Sequence, residues 1–183
     1  NTAHELGHKK NKLDQWLAKL VLAPSAYGHF FIEHNRGHHK HVATPEDPAS
    51  SKMGENIYTF SVRELPGAIY RAFSVERDRL KAAGKSPWNI KNEFLQTIAM
   101  TIGTYIAMAV WLGPQVVPYL LIAALWSMWQ LTSANYVEHY GLLRQKLPSG
   151  RYERPRPHHS WNSNHVVSNW ALFHLQRHSD HHA

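Results

Sequence analysis

The chain has 183 residues, with fifteen histidines and no cysteine, which excludes a disulfide framework and any cysteine-held zinc or iron–sulfur site. Lys and Arg outnumber Asp and Glu by 20 to 13, a formal net charge of +7 that suits nucleic acid, an anionic membrane surface or an acidic protein partner. All of that charge lies outside residues 94–137, which contain no Asp, Glu, Lys, Arg or His.

The first element is the short segment His4-Glu5-Leu6-Gly7-His8. Residues 15–32 follow as an apolar stretch interrupted by Lys19, Pro24 and His29. Crossing a bilayer and returning needs about 40 residues. Too few lie between Lys9 and Glu33 if the histidine groups on either side are to meet. The stretch is therefore expected to lie as a helix in the membrane interface. The second group, Glu33-His34-Asn35-Arg36-Gly37-His38-His39, comes directly after it. Residues 42–93 are polar and turn-rich, opening on Thr44-Pro45-Glu46-Asp47-Pro48, and carry a mixed helical stretch at 57–83.

Residues 94–112 and 116–134 are each long enough to span a hydrocarbon core of about 30 Å as helices. Gly113-Pro114-Gln115 between them leaves room only for a tight hairpin, and Pro118 falls in the first turn, where its missing N–H is tolerated. Two buried helices of a soluble protein are the alternative, but Trp111, Tyr119, Trp126 and Trp129 favour a membrane hairpin. Lys81, Lys85 and Lys91 precede it and Arg144, Lys146, Arg151 and Arg154 follow it, so the positive-inside rule puts both ends in the cytoplasm.

His139, in Glu138-His139-Tyr140-Gly141, stands just past the second helix. Residues 148–164, with Pro148, Pro155 and Pro157, read as loop. Residues 168–182 are helix-compatible and end in His178-Ser179-Asp180-His181-His182. The expected fold is all-α: an integral-membrane helical bundle with a histidine-rich cytoplasmic face. One catalytic region is expected over 1–183. Its parts are 1–41 (first two histidine groups and interfacial helix), 42–93 (cytoplasmic segment), 94–134 (hairpin) and 135–183. A chain opening on Asn1 is expected to be an internal segment of a longer protein.

His4/His8, His34/His38 and His178/His182 share the i, i+4 spacing that puts two side chains on one helix face, and His39 and His181 add adjacent donors. Neutral imidazole suits Fe, Zn, Cu and Ni. With His139 these make nine imidazoles, too many for one ion and enough for four or five on each of two, with positions left open. Glu-x-x-His occurs once, at Glu5-Leu6-Gly7-His8, whereas the carboxylate-rich di-iron bundles use it twice with two further glutamates, which argues against them. Glu5, Glu33, Glu138 and Asp180 flank candidate ligands and are candidates to accept the outer imidazole N–H. His29, His41, His158, His159, His165 and His174 lack the spacing and are expected as supporting or surface residues.

Read as continuous motifs, HELGHK, EHNRGHHKHVATPEDPASS, NYVEHYGL and LQRHSDHH resemble the membrane-bound alkane 1-monooxygenases, which are integral-membrane di-iron alkane hydroxylases related to the membrane fatty-acid desaturases. The resemblance covers residues 2–182, with the hairpin between the second box and HYG. It implies insertion of one oxygen atom of O2 into the terminal C–H of an n-alkane, with electrons from NADH through rubredoxin reductase and rubredoxin. It implies two non-haem iron ions held by His4, His8, His34, His38, His39, His139, His178, His181 and His182, and no catalytic side chain beyond these ligands. The site would face the cytoplasm from the bacterial inner membrane, among lipids, with an acidic rubredoxin as partner and no nucleic acid. Two rivals carry the same motifs: a membrane fatty-acid desaturase or hydroxylase, and a zinc metalloprotease using His4-Glu5-Leu6-Gly7-His8 as HExxH. A metal transporter would need polar ligands within the spans, and residues 94–137 offer no charged or histidine ligand.

Overall fold

The computed structural model describes residues 2–172 and 174–182, with Asp180 described by its backbone alone. Among the described residues it is helical, with two isolated β-bridges, Lys146 to Tyr152 and Asn162 to Arg177, as the only extended pairings. α1 (Thr2–Gly7) and α2 (Lys12–Leu22) pack against each other, and Asn11 caps α2 by accepting a hydrogen bond from the Leu13 N–H at 3.1 Å.

The expected single helix over 15–32 is broken. α2 stops because Pro24 has no N–H to donate to the carbonyl of Leu20; Ala23 donates to that oxygen instead, at 3.2 Å. Ala26 then adopts φ 50°, and helix resumes only at α3 (Phe30–Ile32). From there the chain runs through a π-helical segment, Glu33–His38, into α4 (His39–His41).

α5 (Ile57–Ala82) is capped by Asn56, which accepts from the Thr59 N–H at 2.9 Å. Its buried stripe takes every fourth residue: Phe60, Glu64, Ala68, Ala72, Glu76 and Leu80. Two glutamates in such a stripe need partners. Glu76 receives Arg36 at 3.0 Å, Arg79 at 2.5 Å and the backbone N–H of Glu93 at 2.7 Å. Glu64 accepts from Thr132 at 2.7 Å and from Asn135 at 3.3 Å, tying α5 to the last turns of the second long helix. The apolar core nearby joins Ala18, Leu22, Tyr27, Phe30, Phe31, Ile32 and Ala72.

α6 (Glu93–Leu112) and α7 (Val116–Glu138) meet at Gly113, whose φ of 88° is the conformation a residue without Cβ adopts at no steric cost. They are long and apolar enough to cross a membrane, and α7 runs one turn beyond the expected residue 134. Val110 and Trp111 are 82% and 81% exposed, and Ile122 and Leu125 are both 68% exposed. A face this apolar is stable in lipid rather than in water. They are therefore not the core helices of a soluble protein.

The expected helix over 168–182 is also interrupted. α8 (Val166–Ala171) and α9 (His178–His181) are separate, because Ser163 donates to Gln176 O at 3.0 Å and Asn162 Oδ1 accepts from the Ser179 N–H at 2.8 Å. Residues 148–164 are loop as expected, apart from a 3-10 turn at Pro157–His159.

Burial pushes the Glu64 carboxyl up from 4.5 to about 7, outweighing the hydrogen bonds from Thr132 and Asn135. An acid whose folded pKa is raised adds stability below its unfolded pKa and loses it as pH rises through the folded value. Stability is thus expected to fall between pH 4.5 and about 7 and then level off. Glu64→Gln is expected to flatten that slope in denaturation midpoints taken across this range in detergent; an unchanged slope would remove Glu64 as its source.

Candidate metal centre

Four separate parts of the chain deliver imidazoles to one place. α1 with the residue after it brings His4 and His8, the π-helical segment with the first residue of α4 brings His34, His38 and His39, the residue after α7 is His139, and α9 with the residue after it brings His178, His181 and His182. They sort into two groups, His4, His8, His34 and His181 in one and His38, His139, His178 and His182 in the other. Within each, the ligand nitrogens lie within 4.8 Å of one another. His39 sits between: its Nε2 is 3.2 Å from that of His34, and its ring centroid is 4.7 Å from His181 and 4.4 Å from His182. All nine expected histidines converge.

The sorting differs from the i, i+4 expectation at one pair. His34 and His38 do not share a group, and the π-helical segment is the reason. On an α-helix, at about 100° per residue, His38 would stand about 40° from His34 and His39 about 140° away. At about 4.4 residues per turn in a π-helix, His38 and His39 fall to either side of His34, each within about 50°. One turn of backbone therefore feeds both groups.

Inside the groups, Nε2 atoms face one another: His4 and His181 at 3.0 Å, His34 and His181 at 3.4 Å, His38 and His182 at 3.2 Å, His178 and His182 at 2.8 Å. A neutral imidazole has one N–H, so rings converging in this way cannot satisfy one another's lone pairs. Both nitrogens of His139 are buried without a partner, as is Nδ1 of His178 and of His182. Orphaned nitrogens of this kind cost about 1–3 kcal/mol each unless something binds them. A cation at each group would take the inward lone pairs of the converging Nε2 atoms and one nitrogen of His139, so the donor set fits a metal.

Electrostatics agree. Burial holds the imidazoles of His4, His139 and His181 down to about 3 and that of His39 to about 2, and takes His34, His178 and His182 well below the ordinary value. Neutral imidazoles are the form that ligates. His38 departs from this: burial lowers it, but the charge and hydrogen bond of Asp47 outweigh that and raise it. The second group is wholly buried, whereas His8 of the first is exposed.

Asp47 is the residue that sequence reasoning missed. It accepts from His38 Nδ1 at 2.9 Å and is fixed by Ser50 at 2.6 Å and Arg71 at 2.5 Å. Arg71, from α5, also pairs with Glu33 and passes over Gly37, where a Cβ would come 2.7 Å from its Nε. Only the turn signal around Thr44-Pro45-Glu46-Asp47-Pro48 marked this segment, and a turn signal does not say what its carboxylate faces.

Of the four flanking acids, Glu5 behaves as expected, 3.0 Å from His4 Nδ1. Glu33 does not: its carboxylate is taken by Arg71, because the π-helical segment turns it toward α5. Glu138 lies 3.5 Å from His178 Nε2, the inward nitrogen, and so does not accept from the outer one. The Asp180 side chain lies outside the described residues. With Glu5 on the outer nitrogen of His4, and with His34 and His181 completing the group, the HExxH geometry of a zinc protease is not formed.

The remaining histidines stand apart. His41 faces Glu46 at 3.1 Å, and His165 and His174 are exposed. Glu153, His158 and His159 also cluster, but His159 Nδ1 accepts the Arg156 N–H at 3.0 Å. Its proton is then on Nε2, facing Glu153, and no lone pair is left for a metal.

A cavity of about 730 Å³ opens beside the first group. Leu22, Tyr27, Phe30, Trp126 and Leu131 line it, and His4, His34, His178 and Glu138 close one end. Trp126 and Glu138 are twelve residues apart on α7, which makes the wall about 18 Å long.

The whole chain, residues 1–183, matches the family model described as fatty acid desaturase. It is 63% identical over 183 residues to alkane 1-monooxygenase 1 of Alcanivorax borkumensis and 61% identical over 183 residues to alkane 1-monooxygenase of Pseudomonas putida. The alignments cover 100% of this chain and 45% and 46% of those two proteins. A more distant relative, the xylene/toluene monooxygenase hydroxylase component of Pseudomonas putida, is 26% identical over 181 residues, 98% of this chain and 47% of that protein. The chain thus spans about half the length of the curated relatives it matches. Two helices long and apolar enough to cross a membrane, histidines gathered into two groups and a match along the entire sequence lead to one conclusion: the chain belongs to the fatty acid desaturase family.

Proposed function

We propose that the full-length protein hydroxylates the terminal carbon of n-alkanes, giving primary alcohols, with O2 as oxidant and rubredoxin as electron donor. The carrying observation is that three of the nine converging imidazoles, His4, His34 and His178, line a cavity with apolar walls beside a membrane-span-capable helix. His4, His8, His34 and His181 would hold one iron ion and His38, His139, His178 and His182 the other, with His39 between them. The two histidine boxes, the cytoplasmic segment, the hairpin and the HYG segment with the third box work as one catalytic region.

Bound iron supplies the activation of O2 and the oxidation of the C–H bond. This chain's residues do the rest. Tyr27, Phe30, Leu131 and Trp126 form an apolar wall that accepts a chain from the bilayer and keeps water out. Burial keeps His4, His139 and His181 among the ligating rings neutral, so each of these offers a lone pair at neutral pH. Glu5 and Asp47 hold His4 and His38 by their outer nitrogens, fixing ring orientation. An alkane carries no charge or hydrogen-bonding group, and this cavity matches it with shape and apolar surface. NADH, through rubredoxin reductase, would feed the rubredoxin. The net charge of +7 suits an acidic donor at the cytoplasmic side of the inner membrane.

The test is product analysis on the full-length protein in membranes with rubredoxin, reductase, NADH, air and a mixture of n-alkanes. Primary alcohols that disappear when O2 is withheld are the expected result. The family match also supports a second reading, desaturation or hydroxylation of an acyl chain at the same centre. No alcohol from alkanes, with oxidised acyl products instead, would replace the first reading by the second.

A further inference from the structure

A second cavity, of about 220 Å³, lies against the first membrane span, on the other side of the turn that joins α2 to α3. It shares no lining residue with the larger cavity: Tyr27 and Phe30 face that one, Gly28 and His29 this one. Ile98, Ile102 and Met128 make its apolar walls, and Thr97, Thr101 and His29 its polar end.

His29 is only 8% exposed, yet its Nε2 is buried without a hydrogen-bond partner. Thr97 donates its hydroxyl proton to Phe94 O at 2.9 Å and Thr101 donates to Thr97 O at 3.0 Å, so both hydroxyl oxygens keep lone pairs to accept with. No Lys, Arg, Asp or Glu lines the cavity. Burial lowers the His29 imidazole to about 4, so it is neutral at pH 7. Thr97 and Thr101 stand about 6 and 12 Å along α6 from Glu93, and Ile98 and Ile102 about 8 and 14 Å, so the polar and apolar stripes run side by side down the helix. Ile98 and Ile102 are 42% and 54% exposed, so the apolar track continues beyond the cavity.

These features select a ligand. A carboxylate would find no cation, and a hydrocarbon would leave Nε2 unsatisfied. A hydroxyl both donates and accepts, and an alkyl tail fits the isoleucine track. We propose that this cavity binds a long-chain primary alcohol, its hydroxyl on His29 and its tail along Ile98 and Ile102. It is a site for the product of the reaction, distinct from the place where that product forms. The source of the alcohol rests on the hydroxylase reading above; the binding itself requires neither iron nor turnover.

The experiment is photolabelling of the full-length protein in nanodiscs with a diazirine-bearing long-chain primary alcohol, followed by peptide mapping. Labelling is expected on the peptide containing Thr97 to Ile102. It should be displaced by 1-dodecanol about tenfold better than by dodecane or dodecanoate, the factor that one neutral hydrogen bond supplies. His29→Phe should lower labelling about tenfold and His29→Gln should retain most of it. Ile98→Trp, which fills the cavity from the span and leaves His29 in place, should also lower it, and decides the matter if His29→Phe fails to fold. Equal displacement by dodecane, or full labelling in both His29→Phe and Ile98→Trp, would overturn the proposal. Labelling that survives while alkanes yield no alcohol would sink the hydroxylase reading and leave the alcohol site standing.

Discussion

In the full-length protein, Asp47→Asn is expected to weaken metal binding about 10- to 100-fold, the usual range for losing a partner behind a ligating histidine. If the proposed function holds, His38→Ala is expected to lower the metal content and abolish measurable alkane oxidation. The argument starts at the outer nitrogen of His38. Asp47 holds it at 2.9 Å, and the carboxylate is itself pinned by Ser50 and Arg71. An amide at that position removes the negative charge that raises His38 and leaves Arg71 with Glu33 as its remaining carboxylate. The ring then loses its fixed orientation while the fold keeps its volume. Metal content by elemental analysis, with helicity by circular dichroism, separates the effects. Full metal occupancy in Asp47→Asn at limiting iron would show that His38 is oriented by packing alone.

Glu76→Ala is expected to destabilise the protein by about 3–5 kcal/mol, since it strips the shared partner from buried charges. Glu76 is fully buried and binds Arg36, Arg79 and the first N–H of α6. Arg36 belongs to the π-helical segment and also reaches Glu93 at 2.6 Å. One carboxylate therefore joins the histidine-bearing π-helical backbone, the long helix α5 and the first residue of α6. Arg79 is 40% exposed in its side chain and Arg36 34%, so solvent screens part of each pair, and the lower end of the range is the better guide. Thermal midpoints in detergent measure it, and a shift below about 2 °C would mean that the network is solvated in practice.

How much of this was legible in the chain differs from element to element. The hairpin was, because a span must be uniformly apolar and that property is local: residues 94–137 declare it without reference to any neighbour. α5 was placed to within one residue at its end, yet its inward glutamates looked no different from solvated ones. Glu64 and Glu76 face inward only because Thr132, Asn135, Arg36 and Arg79 meet them from other parts of the chain. The break after α2 was signalled by Pro24, whereas the interruption before α9 depends on Asn162 and Ser163, more than a dozen residues upstream.

By itself the sequence determined the inventory: three histidine pairs at i, i+4 with His39, His139 and His181 beside them, two spans, no cysteine, and motifs that resemble one enzyme family. Those are matters of residue type and spacing, which folding does not alter. The tertiary structure alone decided the assignment. It put His34 and His38 in different groups, turned Glu33 to Arg71, and brought Asp47 behind His38. Each of these follows from one local departure from α-helical geometry at Glu33–His38, held by contacts with α5. A histidine at i+4 declares which residue shares its face only if the turn between them is α. A backbone wound to about 4.4 residues per turn instead points its ligands two ways, and long-range packing settles which winding is adopted.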